Sequence, residues 1–408
     1  MPPEPRALRI LVVASRLPLA SETFVRAQCA ALVRAGQEVD ILSLSQGDGA
    51  WSAGDLDAEL PARTRCAHLE QPAARRVALA PLRAAGFARH GWRAALRTID
   101  PRLGWRARSG QLAAVAHALA APRRVDLVLA QFGPAGLVAL SLRRAGLVEG
   151  PIATAFYGFD LTRALRDAPN LYRGLYDEAA LLLPNSEHLA GVLRANGAPS
   201  SKTVVHRLGI DLARFPAVDR RARPAAPTAL AVGRFVEKKG FEHAIRALAA
   251  AGDASAFRLR LIGDGPLRPR LEQVARELGV TDRVEFAGWR THEEVACAMA
   301  DADLLLAPSV VARDGDMEGL PLVVIEALAT GMPVIGSRHG GIPELVSDGV
   351  NGVLCDERDE GALAAALVRL SDPETRSALG RNARATVERD FSADELASRL
   401  VAMARALR

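Results

Sequence analysis

Glu318-Gly-Leu-Pro-Leu-Val-Val-Ile-Glu-Ala-Leu-Ala-Thr-Gly-Met-Pro-Val-Ile-Gly336 reads as loop, helix and strand in one run. Pro321 suits a first helical position, where its missing N–H and fixed φ cost nothing. Leu322 to Ala329 is apolar and helix-forming, Gly331 sits where a helix stops, and Pro333 keeps it from resuming. Pro333–Gly336 has strand character, as does Leu304–Ala307 ahead of the loop. Strand, helix and strand in this order predict a parallel sheet. The same stretch sets out two carboxylates. Glu318 falls on the loop before the helix, and Glu326 lies more than a turn inside it. Between them, the Gly319 and Leu320 N–H groups and the helix dipole make a site for an anion. Two acids that can accept hydrogen bonds from sugar hydroxyls, flanking backbone donors for a diphosphate, suit a sugar nucleotide.

The alternation extends in both directions. Upstream, Thr228–Val232, Phe257–Ile262 and Val284–Phe286 read as strands, with helices at Phe241–Ala251 and Leu267–Leu278. The first half repeats the pattern with a strand at Ile10–Ala14, a helix at Glu22–Ala35 ended by Gly36, and strands at Glu38–Leu42, Val125–Ala130, Ile152–Phe156 and Ala180–Leu183. Gly47 to Ala121 reads as irregular and helical. Arg220-Arg-Ala-Arg-Pro-Ala-Ala-Pro227 reads as the linker. The expected fold is α/β, two doubly wound Rossmann-like domains at residues 1–222 and 228–392, facing each other across a deep cleft that holds the active site.

At 408 residues and 49% apolar composition, the chain can bury two cores. No apolar run reaches the roughly 20 residues a spanning helix needs. Met1-Pro-Pro-Glu-Pro does not read as a signal peptide. Cys29, Cys66, Cys297 and Cys355 are scattered without a Cys-x-x-Cys pair, which fits reduced thiols in a cytoplasmic protein and argues against a zinc site. Residues 1–220 carry nine excess positive charges, and the remainder carries four excess negative ones. Arg63–Arg108 holds eleven Arg against two acids, Glu70 and Asp100, interleaved with Phe87, Trp92 and Trp105. Basic and aromatic residues mixed on helices suit an anionic membrane surface or a lipid-diphosphate acceptor. A solvated Arg-rich face is the plainer reading. Nothing points to nucleic acid.

Six segments besides Glu318–Glu326 recur in an informative order: Ser21-Glu-Thr-Phe24, Tyr157-Gly-Phe-Asp160, Leu208-Gly-Ile-Asp211 with Phe215, Val232-Gly-Arg-Phe-Val-Glu-Lys-Lys-Gly240, Leu261-Ile-Gly-Asp-Gly-Pro266 and His339-Gly-Gly-Ile-Pro-Glu344. Together they resemble the retaining GT-B glycosyltransferases of the glycogen-synthase-like group (glycosyltransferase family 4), most of all the exopolysaccharide and colanic-acid type. The resemblance implies that the last helix, residues 393–407, crosses back to a first, acceptor-binding domain, and that residues 228–392 bind the donor. It assigns Arg234 and Lys239 to the leaving pyrophosphate, a role Mg²⁺ fills in many other transferases. It assigns Glu318 to the transferred sugar and Glu326 to the donor ribose. Gly319, Leu320, Pro321, Gly263 and Gly265 bring backbone near the nucleotide, and Trp289 and Arg290 are candidates for base contacts.

In the first domain, Ser21, Glu22, Thr23, Tyr157 and Gly158 are candidates for the acceptor side, with Asp160 to bind or deprotonate the acceptor hydroxyl. Ser21 reads equally well as a helix N-cap. Many relatives have His where this chain has Tyr157, and tyrosine is a poor proton shuttle at neutral pH. Asp314-Gly-Asp316 looks like a metal clamp, yet in its loop the resembling enzymes carry such acids without metal. No metal or other cofactor is expected. No residue reads as a covalent nucleophile, which fits same-face attack with retention.

The expected function is therefore a cytoplasmic, peripheral membrane hexosyltransferase. It would move sugar from a UDP- or GDP-sugar to a hydroxyl of a lipid-linked saccharide in exopolysaccharide synthesis. Transfer to a small soluble acceptor and a non-catalytic sugar-nucleotide-binding scaffold are the alternatives.

Overall fold

Strand β1 (Arg9–Leu17) is buried along Ile10–Ala14 because parallel strands are covered on both faces. It leads into helix α1 (Thr23–Arg34) and returns through β2 (Glu38–Gln46), paired parallel to β1. A short strand β3 (Thr64–Cys66) follows, then helices α2 (Ala73–Phe87), α3 (Trp92–Arg97) and α4 (Gln111–Leu119). Strand β4 (Leu127–Gln131), helix α5 (Gly133–Arg144), β5 (Ile152–Phe156) and β6 (Leu181–Pro184) complete a sheet ordered β3-β2-β1-β4-β5-β6. The computed structural model describes residues 6–19, 22–220 and 226–408.

A second parallel sheet repeats the design. Its strands are β7 (Thr228–Val232), β8 (Arg258–Ile262), β9 (Val284–Gly288), β10 (Leu304–Ala307), β11 (Val334–Ser337) and β12 (Gly352–Cys355), ordered β9-β8-β7-β10-β11-β12. Between and after them run α6 (Phe241–Ala251), α7 (Arg268–Glu277), α8 (His292–Asp301), α9 (Leu322–Ala329), α10 (Glu360–Arg369) and α11 (Pro373–Asp390). The core between this sheet and its helices gathers Phe235, Phe257, Leu259, Leu261, Leu304 and Leu306 with the apolar faces of α6, α7 and α10. Both sheets are doubly wound and Rossmann-like, as the alternation predicts.

One compact unit comprises the described residues of Met1–Asn185 with Ala190–Gly209 and Ala393–Arg408; the other comprises Ser186–Leu189 and Ile210–Ser392. The last helix, α12 (Ala393–Ala406), packs on α1 of the first unit. Arg34 meets Asp394 there at 2.6 Å, and Arg408 meets Asp126 at 2.7 Å.

Three local expectations are corrected. Pro321 (φ −71°, ψ 115°) is the cap before the helix, which starts at Leu322, because its extended ψ is not helical. Arg220 is no linker residue: its buried guanidinium donates to the carbonyls of Met299, Ala302 and Thr330 and fastens the chain to the second unit. Most of the expected linker, residues 221–225, lies outside the described residues. Finally, the stretch read as irregular and helical contains β3, held by register with Ile41–Ser43.

Candidate active site

In the second unit the strands are all parallel, so the turns that follow them open on one edge of the sheet. Ligands bind at that edge in doubly wound proteins. Arg234 and Lys239 follow β7, Gly263 and Gly265 follow β8, and Trp289 and Arg290 follow β9. Glu318 ends the loop after β10, and His339 follows β11.

The turns interlock through the backbone. Gly233 N–H donates to Ile262 O at 2.9 Å, Gly263 N–H to Gly288 O at 2.9 Å, and Phe235 N–H to Asp264 O at 2.8 Å. Gly263 has φ +135°, and a Cβ there would stand 1.9 Å from Gly233 O, so only glycine lets the two turns meet.

Lys239 and Glu318 come together, with Nζ 3.2 Å from Oε1. Lys238 stands 3.8 Å from the same oxygen and 3.2 Å from Asp316. Burial pushes the Glu318 carboxyl up, but Lys239 and Lys238 outweigh it and hold the group below the usual carboxylate range. Glu318 Oε1 is buried without an aligned hydrogen bond, so the charge is balanced while geometry remains open for a hydroxyl donor. Gly319 and Leu320 are buried, and no described residue accepts from their N–H groups. Such donors at a helix start favour an anion.

Glu326 projects from the second turn of α9, is buried, and accepts from or ion-pairs with His292 Nε2 at 2.9 Å. The His292 ring in turn meets the buried ring of Phe215 edge-on, 5.6 Å between centroids. Arg234 is exposed and has no ion-pair partner among the described residues, leaving its charge available. Trp289 and Arg290 are exposed, and no hydrogen bond or ion pair joins them to Glu318 or Glu326 among the described residues. Asp314 accepts from Asp316 N–H and Asp316 pairs with Lys238, so both acids are engaged in building the loop.

The first unit places its candidates around an aromatic cluster. Tyr157 lies 4.7 Å from both Phe24 and Phe132, ring centre to ring centre. Its hydroxyl donates to Gln131 at 2.5 Å, Gln131 donates to Gln28 at 2.8 Å, and Gln28 reaches His206 at 3.2 Å. Burial pulls His206 down to about 4, keeping that ring neutral. Glu22 precedes α1, and burial with the nearby Asp160 pushes its carboxyl up to about 7; Thr23 is the first helical residue. Ser21 lies outside the described residues.

Asp160 is fully buried, and its carboxylate accepts from three backbone N–H groups: Tyr157 at 3.1 Å, Gly158 at 2.9 Å and Gly133 at 3.1 Å. Burial raises its pKa against those bonds. Asp160 thus builds the turn after β5 through these three bonds.

Sequence reasoning missed His292 and Glu357, since each acts through a partner distant in sequence. Among the described residues, one Cys/His/acid group has metal-ligand proximity: Cys66, His68 and Glu70, with ligand atoms within 4.8 Å, in the first unit at the end of β3. His68 Nδ1 already contacts both neighbours.

Residues 219–386 match the family model of group 1 glycosyl transferases. The chain is 37% identical over 413 residues to a putative colanic acid biosynthesis glycosyltransferase of Escherichia coli K12, covering 96% of this chain and 98% of that protein. It is 33% identical over 391 residues to the amylovoran biosynthesis glycosyltransferase of Erwinia amylovora, covering 94% and 96%. Among solved structures, Anabaena HepE in complex with UDP and glucose superposes with TM-score 0.68 at 22% identity, covering 98% of this chain and all of that one. A sucrose-phosphate synthase from Thermosynechococcus elongatus gives 0.69 at 22%, covering 98% and 99%. With the doubly wound units, the Lys239–Glu318 pair and full-length likeness to the colanic acid enzyme in place, the chain belongs to the group 1 glycosyltransferases and has the GT-B fold.

Proposed function

We propose that this protein is a retaining, metal-independent glycosyltransferase of exopolysaccharide assembly. It moves a sugar from a UDP- or GDP-sugar to a hydroxyl of a lipid-linked saccharide at the cytoplasmic membrane face. The observation that carries the reading is the Lys239–Glu318 contact at 3.2 Å, beside the unengaged N–H groups of Gly319 and Leu320. Lys239 and Arg234 neutralise the diphosphate as the bond from the anomeric carbon to its oxygen breaks. Glu318 receives hydroxyls of the transferred sugar, and Glu326, oriented by His292, receives those of the ribose. Gly263 and Gly265 bring backbone to the nucleotide, with Trp289 and Arg290 beside the base.

The acceptor oxygen attacks the face the phosphate leaves, and its proton passes to the departing phosphate oxygen. That route requires no carboxylate nucleophile, which agrees with Glu318 being tied to two lysines and Asp160 to three backbone donors. Lys239 and Arg234 at the leaving group supply the charge a metal would otherwise bring. The exopolysaccharide assignment draws on the colanic acid and amylovoran relatives.

The membrane assignment draws on the Arg-rich helices. Phe87 is buried and belongs to the core, but Leu82 (71% exposed), Trp92 (61%) and Trp105 (58%) face solvent. Among the described residues no helix is long and apolar enough to cross a membrane.

A thermal-shift screen against UDP-, GDP-, ADP- and dTDP-sugars tests the donor site. The expected result is a shift with one nucleotide class, unchanged by EDTA and lost in Lys239→Ala, with transfer reduced at least ~100-fold. Full transfer by Lys239→Ala, or a shift abolished by EDTA, overturns the reading.

A further inference from the structure

His339 is almost completely buried, yet it touches the site through a single backbone contact: Glu318 N–H donates to its Nε2 at 3.0 Å. A nitrogen that accepts carries no proton, so the ring proton sits on Nδ1. Glu357 Oε1 lies 2.6 Å from Nδ1 and accepts it. The second oxygen of Glu357 accepts from Val311 N–H at 3.0 Å, near the start of the loop that ends in Glu318. Arg358 completes this side, 3.6 Å from Glu357 and donating to Val311 O at 2.6 Å. One residue beyond the histidine's glycine neighbour, Gly341 N–H donates to Gly319 O at 2.7 Å. The loop after β10 is thus gripped at Val311 from the turn after β12, and at Glu318 and Gly319 from the turn after β11.

The geometry points to His339 and Glu357 as a positioning pair for the transferred sugar, with Glu357 selecting the Nδ1–H tautomer and His339 then fixing the backbone of Glu318. This rests on the reading of Glu318 as the sugar-binding acid, and it adds to that reading two residues that never touch the donor. The physical reason is leverage. Glu318 is drawn toward Lys239 by charge, and a charge contact alone leaves its backbone free to rotate. A hydrogen bond to the Glu318 N–H, itself oriented by a carboxylate, fixes where the side chain starts. An oriented histidine of this kind works as in metal sites, where a carboxylate on the far nitrogen sets tautomer and ring angle; here the near nitrogen holds a backbone donor. Glu357 is kept in the ionised form that this role requires. Burial raises its carboxyl, but the Val311 N–H and His339 bring it below the usual range.

The test compares affinity for nucleoside diphosphate with affinity for the corresponding nucleotide sugar, by calorimetry on the full chain, and follows transfer or slow donor hydrolysis. Panels of UDP- and GDP-sugars are the probes, and the variants are His339→Ala, His339→Gln, Glu357→Gln and Glu318→Gln. His339→Ala should leave diphosphate affinity within about twofold while the gain from the sugar, and turnover, fall roughly tenfold to hundredfold, the size of one lost buried hydrogen bond. His339→Gln keeps an acceptor for Glu318 N–H and should recover most of that loss. Glu357→Gln should weaken the sugar increment in the wild type but add nothing on top of His339→Ala.

Equal loss of diphosphate and nucleotide-sugar affinity in both His339 variants would mean a merely structural histidine and overturn the proposal. So would wild-type turnover in His339→Ala. A wild-type sugar increment that survives Glu318→Gln would instead sink the reading of Glu318 itself, whatever His339 does.

Discussion

Glu22 is held at the start of α1, where burial and the Asp160 carboxylate push its carboxyl up from the ordinary 4.5 to about 7. The fold prefers the neutral form, so between those values the native chain binds more protons than the unfolded one. The group's stabilising contribution is fully present below the unfolded value and is lost as pH rises through the folded one, a swing of at most about 3 kcal/mol. Melting curves at pH 5 and pH 8 should show the wild type losing stability where Glu22→Gln does not. Parallel behaviour of the two would show that Glu22 is not the group responsible. The places of Arg234, Lys239 and Glu318 in the turns of the second unit were legible because glycines beside them mark element ends, and that of Glu326 because the apolar run Leu322–Ala329 sets it inside a helix. His292 and Glu357 were not, because their meaning lies in contacts with Glu326 and His339, 34 and 18 residues away. The backbone contacts of Asp160 were hidden for a related reason. A buried carboxylate that satisfies backbone N–H groups and one that takes a substrate proton look alike in sequence.

Elements followed the apolar pattern wherever they were long or sharply bounded. Helix α9 begins one residue after Pro321, which caps it, and ends just before Gly331, while β7 and β10 match to the residue. The edge strands β3 and β12 escaped notice, since three or four residues carry too little periodicity to stand out from a loop. Their positions come from pairing with β2 and β11, which are long-range facts. The turn between β7 and α6 shows how tightly an element end can be specified. Gly240 caps α6 at φ +64°, directly after Lys239, and a Cβ there would stand 1.8 Å from Pro308 O. Backbone cannot yield as a flexible side chain can. Gly240→Ala should therefore cost more than the roughly 1 kcal/mol of a left-handed alanine, and it should displace Lys239. The checks are a lowered melting temperature together with weakened nucleotide binding. Gly252→Ala is the control, since it shares a positive φ and a helix-end position but has nothing within 4 Å of its Cβ. Equal effects at both sites would remove the argument from close approach.

At the scale of the whole molecule, charge is partitioned between the halves of the sequence, and the positive excess is concentrated on the helices around Arg63–Arg108. On those helices Arg93 stacks over Trp92 at 5.3 Å and Arg106 over Trp105 at 5.1 Å, so each exposed indole carries a cation on its face. A solvated Arg-rich surface gains nothing from exposing Leu82, Trp92, Leu96 and Trp105 to water, whereas an interfacial one does. The two forces separate experimentally. Arginine attraction to anionic lipid is worth about 1 kcal/mol per residue near the surface and is screened by salt, with a Debye length near 10 Å at 0.1 M falling to about 3 Å at 1 M. Indole burial is insensitive to salt in that way. The expected result is sedimentation of the protein with vesicles containing phosphatidylglycerol but not with purely phosphatidylcholine vesicles. High salt should reduce that binding, and Trp92→Ala with Trp105→Ala should lower it further, by roughly tenfold or more. Donor binding, which we assign to the second unit, should be unchanged in the tryptophan variant. Binding that ignores lipid charge would leave only a hydrophobic contact. No binding at all would return these helices to solvent and favour a soluble acceptor for the transferred sugar.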